Sequence, residues 1–489
     1  MEKLYIWLTP IWVLSVGVLI GVAALVVLWG VLRLVKRPAG DAILGAVQEG
    51  VLQPLSYVAI ALCALAVFAS PTMPVREVGE SLARLNQIGS ASATATVPAK
   101  TDDHALELAF RSDELQEYVI TSEEDVAINS EKGKTYVEPL LLVEGGVQYR
   151  WTPSSPRPRG FEGEVTGLYV TNETDNPAKV VVETVTDVKT PQVHQIPIAA
   201  AGTIGLFGLY FLVRWLAPRA SVIAAATAKE TISQPLFALL TGIGVVALVA
   251  YVFIPYNTFG EDVKMLKTSG MTTIKVLAII MALWSASTSV ADEIEGRTAL
   301  TVLSKPVGRR QFLLGKFLGI VWPIVLMFVI LGVVFLVCVS FKVVYDARES
   351  SKTTPAWPEC HAEIVRIVPG LVLAFFESVV LAAISVAVST RLPMLPNLVI
   401  CGSIYVLGHL AALIVKSQSA LNEIVFVRFF GRLVSTILPV LDHFEIEGAI
   451  AGDSSVPMAY LGYALLYTLL YCGVALLLAL LFFEDRDLA

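Results

Sequence analysis

The stretch Ala291–Gly319, ADEIEGRTALTVLSKPVGRRQFLLGKFLG, concentrates polar chemistry between two apolar runs. Asp292, Glu293 and Glu295 make an acidic start, and Gly296 and Thr298 come next. Leu300 and Leu303 have the spacing that puts two side chains on one helical face. Pro306 has no N–H for a helix interior and breaks the helix. Arg309 and Arg310 then open the next run, where long basic side chains reach lipid phosphates. A short helix with an acidic start and an apolar face, held at a membrane surface, suits docking on another protein. A plain connecting loop is the competing reading.

Two further groups sit where charge is costly. Glu377 lies mid-way along one apolar run and His409 mid-way along the next. Each is about 12 residues from the turn at Arg391–Pro396, so both lie about 18 Å deep and could meet across an antiparallel hairpin. A carboxylic acid there tends to stay protonated, and an imidazole beside it favours ionisation. The functional reading is a proton- or substrate-linked pair. The structural reading hydrogen-bonds Glu377 to Ser378 or a carbonyl and packs His409 separately. Asp442, His443, Glu445 and Glu447, and Glu359, Cys360 and His361, carry metal-ligand residue types. Solvated loops carry the same types, so no metal site and no catalytic site is assigned.

The elements that position these groups are membrane helices. Apolar residues make up 55% of the 489 and charged residues 16%, against about 25% in soluble domains. The deficit lies in long runs with almost no charge, each near the length that spans a bilayer. They are Pro10–Leu34, Pro54–Ser70, Ile198–Leu216, Pro235–Tyr256, Met271–Ala291, Phe312–Phe341, Val365–Ser389, Leu395–Val415 and Tyr460–Phe483. The expected fold is therefore an all-α polytopic membrane protein of about nine transmembrane helices. Its segments are an N-terminal hairpin 1–71, an inserted domain 72–197, a third helix 198–219 and a helical core 220–489. Arg33, Lys36, Arg37, Arg214, Arg219, Lys229, Lys305, Arg309, Arg310 and Arg391 fall on one side if the runs alternate, which makes that side cytoplasmic. The C-terminus is then cytoplasmic and residues 72–197 extracytoplasmic.

The insert holds 20 acidic against 11 basic residues, so it carries the negative balance of a chain whose net charge is −7. Nothing is basic enough for nucleic acid. Gly89–Ala99 reads as a small-residue linker. Beyond it, short alternating segments separated by turn clusters at Pro153–Gly160 and Asn172–Pro177 suit a small β-sandwich. Asn172-Glu173-Thr174 matches a glycosylation acceptor. Gln48–Leu55 echoes Lys229–Leu236, each a cytoplasmic stretch in which Gln-Pro-Leu opens a span. Ala220–Ser233 and Asp41–Gln53 are thus expected to be interfacial elbow helices.

The segment 291–319 resembles the signature of ABC-2-type transporter permeases, especially the branch of multicopper-enzyme-maturation and gliding-type permeases. Glu293, Glu295, Gly296, Thr298, Leu303, Pro306, Val307, Arg309, Leu314, Gly315 and Lys316 match that pattern. The resemblance extends over Ala220–Ala489, including Ile437–Phe444 and the closing Phe483–Leu488, and leaves the first three spans and the insert outside it. It implies that Glu293, Glu295, Thr298 and Leu303 contact a nucleotide-binding ATPase subunit, with two permeases forming a dimer. This chain has no Gly-x-x-x-x-Gly-Lys-Ser/Thr loop. ATP and Mg²⁺ are then expected in the partner, with no cofactor in this chain. A non-transporting membrane component acting through the insert, and an ion-coupled carrier using Glu377 and His409, are the rival functions.

Overall fold

A computed structural model describes residues 2–48, 50–134, 139–254, 262–295, 308–416, 438–446 and 456–484. The chain divides into two compact units, Met1–Met73 with Ile198–Ala489, and Pro74–Pro197.

The first unit is helical. Its helices are α1 (Glu2–Val35), α2 (Arg37–Gln48) and α3 (Gln53–Ala69), then, after the short α4 (Val75–Arg84) of the other unit, α5 (Gln195–Leu216), α6 (Pro218–Ser233), α7 (Pro235–Phe253) and α8 (Asp262–Ala286). A π-helical turn at Ser287–Ala291 leads into α9 (Asp292–Glu295). Then come α10 (Arg309–Glu349), α11 (Trp357–Ser389), α12 (Met394–Lys416) and α13 (Met458–Glu484). Among the described residues eight helices are long and apolar enough to span a membrane, and α12 is a further apolar helix. The reason is continuous Leu, Val, Ala and Ile sequence, in which every backbone group bonds within its own helix. The core lies along α8, α10 and α11, whose Ile274, Ala278, Ile324, Leu331, Phe335, Leu373 and Leu381 are buried. By contrast α5 and α13 turn Leu209, Trp215, Leu469 and Leu481 outward.

Four helices run further than hydropathy expects: α1 starts at Glu2 rather than Pro10, α11 at Trp357 rather than Val365, and α8 and α10 extend through buried charge. α8 starts at Asp262 rather than Met271, because Lys267 is buried and paired with Glu363 of α11. α10 continues from the expected end at Phe341 to Glu349, about 60 Å in all at the α-helical rise. There Lys342 is buried, donates to the Val252 carbonyl at 3.0 Å and stands 3.4 Å from Asp262. The charged stretch Lys342–Glu363, expected as a loop, is mostly helix because its charges find partners inside the bundle.

The elbow at Ala220–Ser233 is helix α6, and it packs on α10 through small residues. A Cβ on Gly315 would lie 2.7 Å from the Ala220 carbonyl oxygen, and one on Gly319 would lie 2.6 Å from Thr227 Cβ. Glycines four apart let two helix backbones close to this distance. The other elbow is α2, whose Gly40 carbonyl accepts from Trp29 Nε1 at 2.9 Å.

The second unit contains two four-stranded antiparallel sheets around one core. Its strands are β1 (Gly89–Val97), β2 (Thr101–Leu106), β3 (Phe110–Arg111), β4 (Leu115–Ser122), β5 (Val126–Asn129), β6 (Leu141–Val143), β7 (Gln148–Trp151), β8 (Glu164–Val165), β9 (Leu168–Asn172) and β10 (Ala178–Thr186). One sheet has the order β1-β10-β4-β7 and the other β2-β9-β5-β6, with β3 and β8 as a two-stranded ribbon. Val180, Val182 and Ile120 of the first sheet share a core with Val126, Ile128 and Val170 of the second. Alternate burial along β10 is the period-2 pattern of a half-buried strand. Residues 89–97, expected as linker, are a strand instead. Its alternating Ala and Ser/Thr pair with β10 through nine residues, from Gly89 opposite Thr186 to Val97 opposite Ala178. Asn172, the glycosylation-type asparagine, is 0% exposed. Its amide donates to Val97, Pro98 and Asn176 carbonyls, so a glycan has no access to it in this fold.

Candidate functional site

Two polar sites stand out in the helical unit. The first gathers at the start of α10. Glu293 Oε1 accepts from Lys316 Nζ at 2.5 Å, and the Lys316 side chain is buried. This pair joins α9, at the head of the segment, to the second turn of α10. Lys316 lies between Gly315 and Gly319, the two residues on which α6 packs, so elbow and segment converge on one stretch of helix. Arg309, expected at lipid phosphates, donates to the Glu484 carbonyl at 3.2 Å and lies over the Phe483 ring. A cation at the C-terminal carbonyls of α13 complements that helix's dipole. Phe312 and Phe483 stack beneath it with centroids 5.8 Å apart. Arg310 is exposed. Glu295 closes α9 in the backbone. Gly296, Thr298, Leu300, Leu303 and Pro306 lie outside the described residues.

The π-helical turn Ser287–Ala291 sets up this arrangement. One extra residue in a turn rotates the downstream helix, and such turns recur at functional sites. Here it lets α8 hand the chain to α9 while Ser287 stays in the core. Asn397 of α12 takes up Ser287: its Nδ2 lies 2.8 Å from Ser287 Oγ, 2.8 Å from Ser385 Oγ and 3.0 Å from Ser389 Oγ. One buried amide thus ties the ends of α8 and α11 to the start of α12. The Cys401 thiol donates to Asn397 Oδ1 at 3.2 Å.

The second site ties the same three helices further along their length. Glu377 of α11 is 0% exposed. Its Oε1 lies 2.8 Å from His409 Nε2 of α12, and its Oε2 lies 3.5 Å from Lys275 Nζ of α8. His409 Nδ1 is 3.3 Å from Glu445 Oε2, beside the 3₁₀ turn Leu441–Phe444. The site is therefore four residues long, from buried Lys275 to Glu445, whose side chain is 43% exposed. Ser378, the alternative partner weighed for Glu377, donates to the Ala374 carbonyl at 2.9 Å instead. In chemical terms the arrangement sets an ammonium, a carboxyl group and an imidazole in a row, with His409 linking the buried carboxylate to the exposed one.

The loop residues with metal-ligand chemistry are used in separate contacts. Glu445 faces His409, and the ring of His443 lies edge-on to Tyr467. Glu359 reaches back to the Ala356 N–H at 3.3 Å as part of a helix start, and His361 packs edge-on to Trp357. Among the described residues no three His, Cys, Asp or Glu side chains come together as a metal would need. Glu447 lies outside the described residues.

Sequence reasoning missed Lys275 and Asn397. The signal for Lys275 was present: a lysine inside an apolar run is costly unless paired. Asn397 gave little, because it falls in the first turn of the run Leu395–Val415, just after Pro396, where a polar residue reads as a helix start at the membrane surface.

Comparison with curated proteins finds no match. A family model described as ABC-2 family transporter protein matches residues 18–488. The match begins within α1 and runs past the β-rich unit, so the resemblance is wider than the expected 220–489. With a multi-helix membrane bundle and a segment anchored on α10 at its core, the chain belongs to the ABC-2 transporter family, as an integral multi-pass membrane permease component of an ABC transporter.

Proposed function

We propose that this permease works as a dimer with two separate nucleotide-binding ATPase chains, which dock on Asp292–Arg310 and drive a lipid-like or polymeric cargo outward. In this reading the ATPase side is cytoplasmic, together with the C-terminus, and residues 72–197 face away from the cytoplasm of a bacterial-type inner membrane. ATP and Mg²⁺ belong to the partner. The observation that carries the reading is the Glu293–Lys316 ion pair at 2.5 Å. It gives a push on the segment a rigid route into α10, the longest helix of the bundle. Glu293 acts by positioning the segment, while Glu295, Thr298, Leu300 and Leu303 supply the face that meets the ATPase.

The test is co-purification with ATPase chains encoded beside it, with ATP-dependent transport as a second readout. Wild type should retain the ATPase, and Glu293→Lys/Glu295→Lys should lose it. The swap Glu293→Lys/Lys316→Glu re-forms the pair and should recover transport to within a few-fold of wild type. A wild-type protein that binds no ATPase would sink the reading.

One observation favours a second role. Lys275, Glu377, His409 and Glu445 form a continuous polar path from a buried carboxylate to an exposed one. Such a path suits an ion-coupled carrier, in which Glu377 and His409 hold the coupling ion or substrate. Glu377→Gln would then abolish transport with the ATPase still bound, while a merely structural Glu377 would lower transport and protein stability together.

A further inference from the structure

Each four-stranded sheet of the β-rich unit ends in two edge strands, and three of the four edges are blunted. An open edge presents unpaired N–H and C=O groups, and folds guard it with charge, bulges or shortness. β7 carries Arg150, paired with Glu117 at 2.6 Å. Arg157 and Arg159 lie over the rings of its Tyr149 and Trp151. β2 carries Asp102, Asp103 and His104, and its register shifts between Thr101 and His104. Asp103 there is left-handed, with φ 49°. β6 is three residues long.

β1 has none of these devices. It is nine residues of Gly, Ser, Ala, Thr and Val, with no charge, no proline and no break in its register against β10. Residues 89–92, 94 and 96 are exposed. Every second residue of such a strand turns its N–H and C=O away from its one neighbour.

We propose that β1 is the surface through which two copies of this chain join their β-rich units, by antiparallel pairing of β1 with β1 of the second copy. The proposal rests on the dimer of the preceding reading and names its contact outside the helices. Two features select a second copy over another protein. The strand is self-complementary: with Ala93 opposite the partner's Ala93, Ser92 faces the partner's Thr94 and Ser90 faces the partner's Thr96. All Ser and Thr then share one face, where they hydrogen-bond across the strands, and all Ala share the other. A nine-residue edge also buries less than the roughly 1,200–2,000 Å² of free-standing complexes. It therefore needs a partner already held close, and a copy confined to the same membrane with its β-rich unit on the same side meets that need.

The test uses the full chain in lipid nanodiscs under mild oxidation. Ala93→Cys places two thiols at Cα separations of about 4.5–5.5 Å, within disulfide range. It should give a disulfide-linked dimer at least ten-fold above wild type and above Gln148→Cys on β7. Adding Thr94→Lys, on the exposed face, sets like charges across the strands and should return the cross-link to background. Light scattering on the same samples separates the possible failures. Dimeric particles in which Ala93→Cys cross-links no better than Gln148→Cys would overturn the β1 contact and leave the dimer. Monomeric particles would overturn both.

Discussion

Lys275 Nζ lies 3.5 Å from Glu377 Oε2, and neither side chain reaches solvent to a useful degree. Two helices of the core are joined here by opposite charges, with His409 on the other carboxylate oxygen. Removing one member of a buried pair leaves an uncompensated charge and costs about 3–5 kcal/mol. Lys275→Met and Glu377→Gln should each lower thermal stability in detergent. The double variant should be more stable than the sum of the two losses predicts, by about 0.5–3 kcal/mol. Strict additivity would mean that the two groups do not act on each other.

The packing of α6 on α10 predicts opposite outcomes for two glycines in one helix. A Cβ on Gly319 meets Thr227 Cβ at 2.6 Å and the Ala224 carbonyl oxygen at 2.8 Å, so backbone must move. Gly319→Ala should cost about 1–3 kcal/mol by overpacking. At Gly332 the nearest atom is Leu371 Cδ1 at 3.6 Å, an ordinary contact. Gly332→Ala should stabilise by about 0.5–1 kcal/mol through helix propensity. Thermal unfolding of both variants checks the pair, and equal shifts would contradict the close approach of α6.

Asn397 offers a test of buried hydrogen bonding. Asn397→Leu leaves three serine hydroxyls without their shared donor and should cost about 1–3 kcal/mol. Because Ser287 heads the π-helical turn, the same variant should raise protease nicking within 287–310 in the ATPase-free protein. A loss of stability with unchanged nicking would confine Asn397 to packing.

The β-rich unit carries a pH prediction. Burial pushes the Tyr118 phenol above its ordinary range, and the hydroxyl donates to the Arg159 carbonyl at 3.1 Å. The folded value lies above the unfolded one, so the unfolded chain loses its proton first. The stability held by Tyr118 is then complete below pH about 10 and falls as pH rises toward the folded value. Denaturant unfolding of the β-rich unit between pH 8 and 11 should show this alkaline loss in the wild type. Tyr118→Phe should be less stable at pH 8 and flatter above pH 10. An identical alkaline slope in both would assign the loss to other groups.

Much of this architecture is legible in a single sequence because it rests on local and additive quantities. Twenty apolar residues in a row are a membrane helix wherever they lie, so α3, α5, α7, α12 and α13 begin and end close to their hydropathy runs. Alternation of Val and polar residues places β10 for the same reason. The matching of Glu293, Pro306 and Arg309 to a family pattern is likewise a property of the string of letters.

The pairings are decided by the tertiary structure alone, since charge is read from sequence as a cost until a partner comes within a few ångströms. Lys267 and Lys342 looked like loop residues, yet Glu363 and Asp262 reach them and α8 and α10 run on through them. Lys275 lay unremarked inside the apolar run Met271–Ala291 and is the counter-charge of Glu377. Asn397 looked like an ordinary polar residue at the start of an apolar run and meets three serines, one of them Ser287, 110 positions away in the chain. Gly89–Val97 looked like a linker because Ala, Ser and Thr have little burial signal of their own. It is a strand because β10 offers it a complete ladder of backbone partners, and no count of its own residues contains that fact.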